Sequence, residues 1–295
     1  VYWCADCETA LAEAEVEYQD IESDSIYVKF EFEDPKTVLD KANIKHNGEK
    51  VYSVIWTTTP WTIPSNMAVC LHPAFDYGYY KKGNEIYIIA KDLVSSFVKD
   101  VEWEENELEL LGSAKGDDLE KLNTKHPLIK RFSPIILGLH VTLEAGTGAV
   151  HTAPGHGLED WEAGQKYGIE TFSPFDSKGC WTDEVPELKG IPYYKGNSIV
   201  IDKLTECGAL IKKTGISHSY PHCWRCKHPV MYRATPQWFV KVGDFKKESL
   251  DAIKNVTWIP AAGERRISNM VENRTDWCIS RQRAWGVPIP VLYCK

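Results

Sequence analysis

The sequence predicts a β-rich α+β protein, and three observations carry that expectation. Runs dense in β-branched and aromatic residues recur between Ser25 and Ala90, separated by turn-forming pairs. Helical patterns are present but short. Two Cys-x-x-Cys pairs bracket this body, and from about Ala234 onward the chain reads as a separate piece.

In chain order, Ile26 to Phe32 alternates apolar and polar residues, Lys50 to Trp56 is a second strand-like run, and Asn47-Gly48 between them signals a tight turn. Tyr77 to Tyr80 and Glu85 to Ala90 flank Lys82-Gly83-Asn84, a hairpin signal. Asp92 to Val98 gathers Leu93, Val94, Phe97 and Val98 on one helical face. After the acidic stretch Glu102 to Glu109, apolar runs resume at Pro134 to Leu139 and at Ala149-Val150. Gly155-His156-Gly157 opens a helix expected from Leu158 to Tyr167 and closed by Gly168. A further helix is expected from Ile199 to Cys207, ending at Gly208. Internal repeats and low-complexity tracts are absent from the sequence.

The 295 residues suffice for one large or two ordinary domains, and 43% hydrophobic with 26% charged residues is the balance of a soluble globular protein. No run of about 18 apolar residues occurs, so no membrane partner is expected. The start, Val1-Tyr2-Trp3-Cys4, has no basic-then-apolar leader, and both ends fall abruptly inside patterned sequence, as in a piece of a longer protein. A net charge of −8 argues against indiscriminate nucleic-acid binding. Of nine cysteines, Cys70, Cys180, Cys207 and Cys278 are isolated and expected as plain thiols.

Three constellations carry chemistry. Val51 to Trp56 ends in Thr57-Thr58-Thr59-Pro60-Trp61-Thr62-Ile63-Pro64-Ser65-Asn66. Pro60 and Pro64 lack an N–H and stop the strand, leaving hydroxyls, Trp61 and the Asn66 amide on a stiff loop suited to a polar ligand with an aromatic face. Cys4-x-x-Cys7 and Cys223-x-x-Cys226 offer four thiolates from two tight turns, the closed tetrahedral set that structural Zn²⁺ prefers. Such a metal would staple both ends of an inserted domain. Lastly, Gly146 to Trp161 holds His151 and His156 in a glycine-shaped loop and Glu159 and Asp160 in a first helical turn. Adjacent helical residues diverge by about 100°, so only one of these carboxylates can face a pocket. Nothing reads as a Ser-His-Asp or Cys-His arrangement or as a phosphate-binding glycine loop.

Together these stretches, with His218 to Phe239 and Asn273 to Pro290, resemble isoleucyl-tRNA synthetase, a class I family. Related valyl and leucyl enzymes usually carry Thr-Thr-Arg-Pro where this chain has Thr58-Thr59-Pro60 after another threonine. The resemblance implies a barrel-like editing domain with peripheral helices (18–216), a zinc-ribbon-like base from both ends of the insertion (1–17 and 217–233), and an incomplete Rossmann-type catalytic segment (234–295). It implies hydrolysis of mischarged Val-tRNA(Ile); for this enzyme it is established that one methylene buys only about 150-fold selection, so a second sieve is required.

On the same resemblance, Thr57, Thr58 and Thr59 hold the terminal adenosine and aminoacyl ester, and Thr62 and Asn66 sit at the pocket's edge. His151 limits side-chain depth, Asp160 grips the α-ammonium group, and Trp61 belongs to the binding motif with packing as its main role. The implied partners are the 3′ end of tRNA(Ile) carrying valine and the rest of the synthetase in cis, in a cytoplasmic monomer. ATP and Mg²⁺ belong to the full-length parent alone, because the His-Ile-Gly-His-like and Lys-Met-Ser-Lys-Ser signatures are absent from this sequence. Two alternatives stand beside this reading: valyl-type editing of Thr-tRNA(Val), and a zinc-stapled RNA-binding module without catalysis. The latter would use basic clusters at Lys121 to Arg131, Lys212-Lys213 and Arg225 to Arg233.

Overall fold

The computed structural model describes residues 1–294. They form two compact units, one of Tyr18–Tyr220 with Tyr232–Ala234, the other of Val1–Glu17, Pro221–Met231 and the segment from Thr235 onward.

In the second unit, β1 (Tyr2–Cys4) and β2 (Thr9–Leu11) form an antiparallel hairpin with Cys4 opposite Thr9. Its connection ends on Glu8, and the turn holding Cys223 and Cys226 ends on Lys227; both residues are left-handed, at φ 47° and 65°. Cys4, Leu11, Cys223 and Val230 form the buried cluster between these turns. The C-terminal segment pairs Phe239–Val240 antiparallel with Trp277–Cys278 and adds helices Lys246–Lys254 and Ala262–Glu272. Among its described residues there is no parallel strand pair of the kind a nucleotide-binding sheet uses.

The larger unit is built on a mixed ten-stranded sheet. Its elements are β3 (Val16–Glu31), α1 (Pro35–Asp40), β4 (Lys50–Thr57), β5 (Ala68–Leu71), β6 (Asp76–Lys82), β7 (Glu85–Ala90) and α2 (Val94–Asp100). Then come β8 (Glu109–Lys115), β9 (Asn123–Lys125), β10 (Phe132–Leu137), β11 (Ala149–Thr152), α3 (Leu158–Lys166), α4 (Tyr193–Glu206) and β12 (Leu210–Cys223). The strands run in the order β8-β6-β7-β4-β11-β5-β10-β9, with β3 joining β4 to β12. A single bridge from Phe32 to Thr124, supported by Glu33 N–H donating to Asn123 O at 2.9 Å, links β9 back to the end of β3. The sheet therefore curls upon itself as a half-barrel, in part as expected, with β8 and β12 left at its edges. Phe30, Phe32, Ile55 and Ile63 are among the largest fully buried side chains. Phe97 and Val98 seat α2 against Tyr27, Val54 and Ile89.

Two local expectations are corrected. Asn47-Gly48 does not join β3 to β4 as a simple hairpin, because α1 intervenes, started by Asp34 accepting from Thr37 N–H and by Pro35 at its first position. The expected helix at Ile199 begins six residues earlier, at Tyr193. Tyr193 is buried, and the missing side chain of Gly196 lets α4 approach Trp61, where a Cβ would lie 3.3 Å from the Trp61 Cβ. Tertiary packing thus turns a weak helix former into a helix start. No described helix is long and apolar enough to cross a membrane.

Candidate active site

The site grows from one feature of the sheet. β4 and β11 are parallel neighbours with Trp56 paired to Val150. Their next residues, Thr57 and His151, therefore emerge side by side at the same end of the two strands. Beyond β4, Pro60–Ser65 winds into a 3-10 turn, which Pro60 initiates and which brings Thr62 back under Thr59. Thr59 N–H donates to Thr57 Oγ1 at 3.1 Å, and the Thr62 hydroxyl donates to Thr59 O at 2.8 Å. The hydroxyl oxygens of Thr57, Thr59 and Thr62 lie in a chain, 3.2 and 3.3 Å apart.

Hydrogen bonding fixes the state of His151. The Asn66 amide is fully buried, and its Nδ2 donates to Ala68 O at 2.8 Å, which sets the amide's orientation. The same Nδ2 lies 2.7 Å from His151 Nδ1, so that ring nitrogen accepts. Nε2 then carries the proton and donates to Thr62 Oγ1 at 2.9 Å. Burial, with the charges of His156 and Arg131 adding to it, holds the imidazole at about 3. His151 is thus a neutral wall with both nitrogens engaged, not a proton acceptor.

A cavity of about 380 Å³ opens in front of this turn, lined by Thr57, Thr58, Thr59, Thr62, His151 and Asp160. Asp160 lies in the first turn of α3, and its Oδ2 accepts from Ala153 N–H at 2.9 Å. Gly157 makes this possible, because a Cβ there would stand 3.0 Å from that oxygen. Burial raises the Asp160 carboxyl above its ordinary value, the Ala153 hydrogen bond opposing, so a cation entering the cavity would find an incompletely compensated carboxylate. Glu159 is exposed and outside the lining.

Of the residues expected from sequence, the structure does not bring Asn66 or Trp61 to the cavity wall. Asn66 positions His151 from behind. Trp61 is buried against His156, Phe175 and Tyr193, with ring centroids 5.1 to 5.5 Å away. The turn is braced from outside: His126 Nε2 donates to Ile63 O at 2.8 Å and Arg131 Nη2 to Pro64 O at 2.5 Å. Sequence reasoning missed His140, Thr142 and Glu144, which line the cavity from the loop between β10 and β11. No motif marks them; only the wrap of the sheet places that loop here.

In the other unit, the sulfurs of Cys4, Cys7, Cys223 and Cys226 all lie within 4.8 Å of one another. A tetrahedral metal with bonds of about 2.3 Å needs sulfurs about 3.8 Å apart. Cys7 N–H points to Cys4 Sγ at 3.3 Å, and Cys4 and Cys226 sulfurs are 3.4 Å apart. Donor type, spacing and matching turns fit a metal such as zinc.

Comparison with known proteins identifies the family. The family described as tRNA synthetases class I (I, L, M and V) matches residues 1–295. The chain is 55% identical over its full length to isoleucine–tRNA ligase of Thermoanaerobacter sp. (strain X514), and 51% to that of Bacillus cytotoxicus (strain DSM 22905 / CIP 110041 / 391-98 / NVH 391-98). In both cases it spans 31% of the longer protein. Among solved structures it is similar to the P. knowlesi cytosolic leucyl-tRNA synthetase editing domain, with 13% identity and a TM-score of 0.47 over 64% of this chain and 95% of that one. The chain belongs to the class I tRNA synthetases, and it matches isoleucine–tRNA ligases from end to end.

Proposed function

We propose that this chain is the editing segment of an isoleucyl-tRNA synthetase and that its cavity hydrolyses the ester of Val-tRNA(Ile). One observation carries the reading: the threonine turn, a fully bonded neutral His151 and the Asp160 carboxylate meet around a single cavity. Residues 18–216 would be the editing domain, 1–17 and 217–233 its base, and 234–295 the return into the catalytic fold. The partners would be the 3′ end of tRNA(Ile) and the rest of a monomeric cytoplasmic synthetase, where ATP and Mg²⁺ act. Cys4, Cys7, Cys223 and Cys226 would hold structural Zn²⁺, which supplies fold stability and no open coordination position.

In this reading Asp160 pairs with the α-ammonium group, replacing solvation that burial has removed. The hydroxyls of Thr57, Thr58 and Thr59 hold the terminal ribose and steady the carbonyl oxygen as charge develops on it. Water attacks the ester carbon and the ribose oxygen leaves, with no covalent enzyme intermediate. His151 bounds the depth of the side-chain pocket, admitting valine and excluding isoleucine. The surface favours this over a general RNA-binding module. Lys125, Lys212, Lys213 and Lys227 already pair with Glu31, Glu102, Asp24 and Glu17, while Arg131 and Arg233 turn inward to backbone carbonyls.

The test is deacylation of Val-tRNA(Ile) by the full-length synthetase. Asp160→Ala should slow it by about 100-fold or more, since a lost charge-assisted contact in a dry site costs roughly 1.5–3 kcal/mol before misalignment is counted. Full activity in Asp160→Ala, or hydrolysis of Thr-tRNA(Val) in preference, would sink the assignment.

A further inference from the structure

The proposed hydrolysis leaves one question open: what takes the proton from the attacking water. Three histidines line the cavity, His140, His151 and His156. His151 has both nitrogens committed to Asn66 and Thr62. His156 is committed as well, with Nδ1 donating to Tyr232 O at 2.9 Å and Nε2 accepting from Ser65 at 3.1 Å. Cys70 lies nearby, but burial pushes its thiol up to about 12, which leaves it neither base nor nucleophile. The threonine hydroxyls are far weaker bases than an imidazole and serve to hold the ribose and the ester.

His140 differs. Its Nε2 is buried and has no hydrogen-bond partner among the described residues. An orphaned buried imidazole nitrogen at a cavity wall is a group held ready for something that enters. The missing side chain of Gly138 leaves room for the ring: a Cβ there would fall 2.5 Å from His140 Cε1 and 2.7 Å from Nδ1. The surrounding ionisable groups are Asp160 and Lys166 on α3, Glu144 on the same loop and the Cys70 thiol on β5. His140 is close enough for its charge to favour the Asp160 carboxylate.

We propose that His140 is a catalytic residue of this site, accepting a proton from the hydrolytic water. This rests on the editing reading above. The water oxygen bonds to the ester carbon as its proton passes to Nε2. The carbon–oxygen bond to the ribose then breaks, and the imidazolium returns the proton to the leaving ribose oxygen. Valine and tRNA with a free terminal hydroxyl are released, and no further reactant is consumed.

The experiment uses full-length synthetase and Val-tRNA(Ile) under single-turnover conditions across pH. Replacing a general base costs typically about 10²–10⁴-fold, so His140→Gln should lose that much rate with tRNA affinity unchanged. The acid limb of the wild-type pH profile should vanish in the variant, and added imidazole should restore rate to His140→Ala. Melting temperatures near wild type exclude a folding defect, because no hydrogen bond is lost at Nε2. His140→Gln within about threefold of wild type, or an acid limb that survives in it, would overturn the assignment. So would loss of that limb in Glu144→Gln with His140→Gln unaffected. If wild-type enzyme leaves Val-tRNA(Ile) intact, the editing reading itself fails and this assignment falls with it; active wild type with indifferent His140 variants refutes His140 alone.

Discussion

Replacing Asn66 by leucine tests how the site is held together. The substitution nearly conserves volume and deletes three hydrogen bonds: to His151 Nδ1 (2.7 Å), to Ala68 O (2.8 Å) and from the Ser133 hydroxyl (2.6 Å). All three groups left behind sit where water does not reach, since Asn66 is 0% exposed, as is Ser133. At about 1–3 kcal/mol for each of the three orphaned groups, less roughly 1–2 kcal/mol for the added apolar burial, the net loss is about 1–8 kcal/mol. In a unit of this size the middle of that range, about 4–5 kcal/mol, lowers Tm by roughly 8–20 °C. The functional effect should be selective. His151 loses the bond that fixes its tautomer and its ring plane, while Asp160 and the threonine chain stay intact. Valine removal should persist, and the ratio of Val-tRNA(Ile) to Ile-tRNA(Ile) hydrolysis should fall about tenfold. Thermal melting and paired deacylation assays read both effects. Unchanged Tm with unchanged selectivity would refute the role given to Asn66.

Gly157→Ala should leave Tm almost unaltered, because φ −151° suits any residue, yet push the Asp160 carboxylate aside and cut deacylation about tenfold; unaltered rates would show that the carboxylate tolerates displacement. His126, His151 and His156 are held by burial at about 3, 3 and 4, below the ordinary value of about 6.5. They are neutral when folded, so the unfolded chain takes up protons first as pH falls. Stability from this source is complete above about pH 6.5 and is lost toward pH 4, with a slope of up to about 4 kcal/mol per pH unit that the raised Asp160 carboxyl only partly opposes at the acid end. Urea melts at pH 7, 6 and 5 that superimpose would contradict it. Cys226→Ser should release bound zinc, measurable as metal content, and expose the remaining thiols to alkylation; a metal-free wild type with reactive thiols would refute the zinc assignment.

Much of the site was legible in the sequence because its parts are local. The hairpin at Lys82-Gly83-Asn84, the stop at Pro60 and the helix after Gly157 all follow from residue types within a few positions of one another. What escaped is long-range. That Thr57 meets His151 depends on a parallel pairing of β4 with β11, and no periodicity announces which strands become neighbours. Asn66 looked like a pocket residue because it shares the threonine motif, but the 3-10 turn carries it behind His151. His140 lacked any local signal, as its role depends on Gly138 and on the fold bringing its loop over the cavity. Trp61 is in the core for a similar reason: α4, distant in sequence, docks on it through Gly196.

The most direct test is a crystal structure of the full-length synthetase with a non-hydrolysable valyl-adenosine analogue. The expected density places the α-ammonium group against Asp160, the ester mimic beside the hydroxyls of Thr57 to Thr59 and the isopropyl group against His151. An analogue bound with its ammonium group away from Asp160, or outside this cavity altogether, would contradict the assignment of the site.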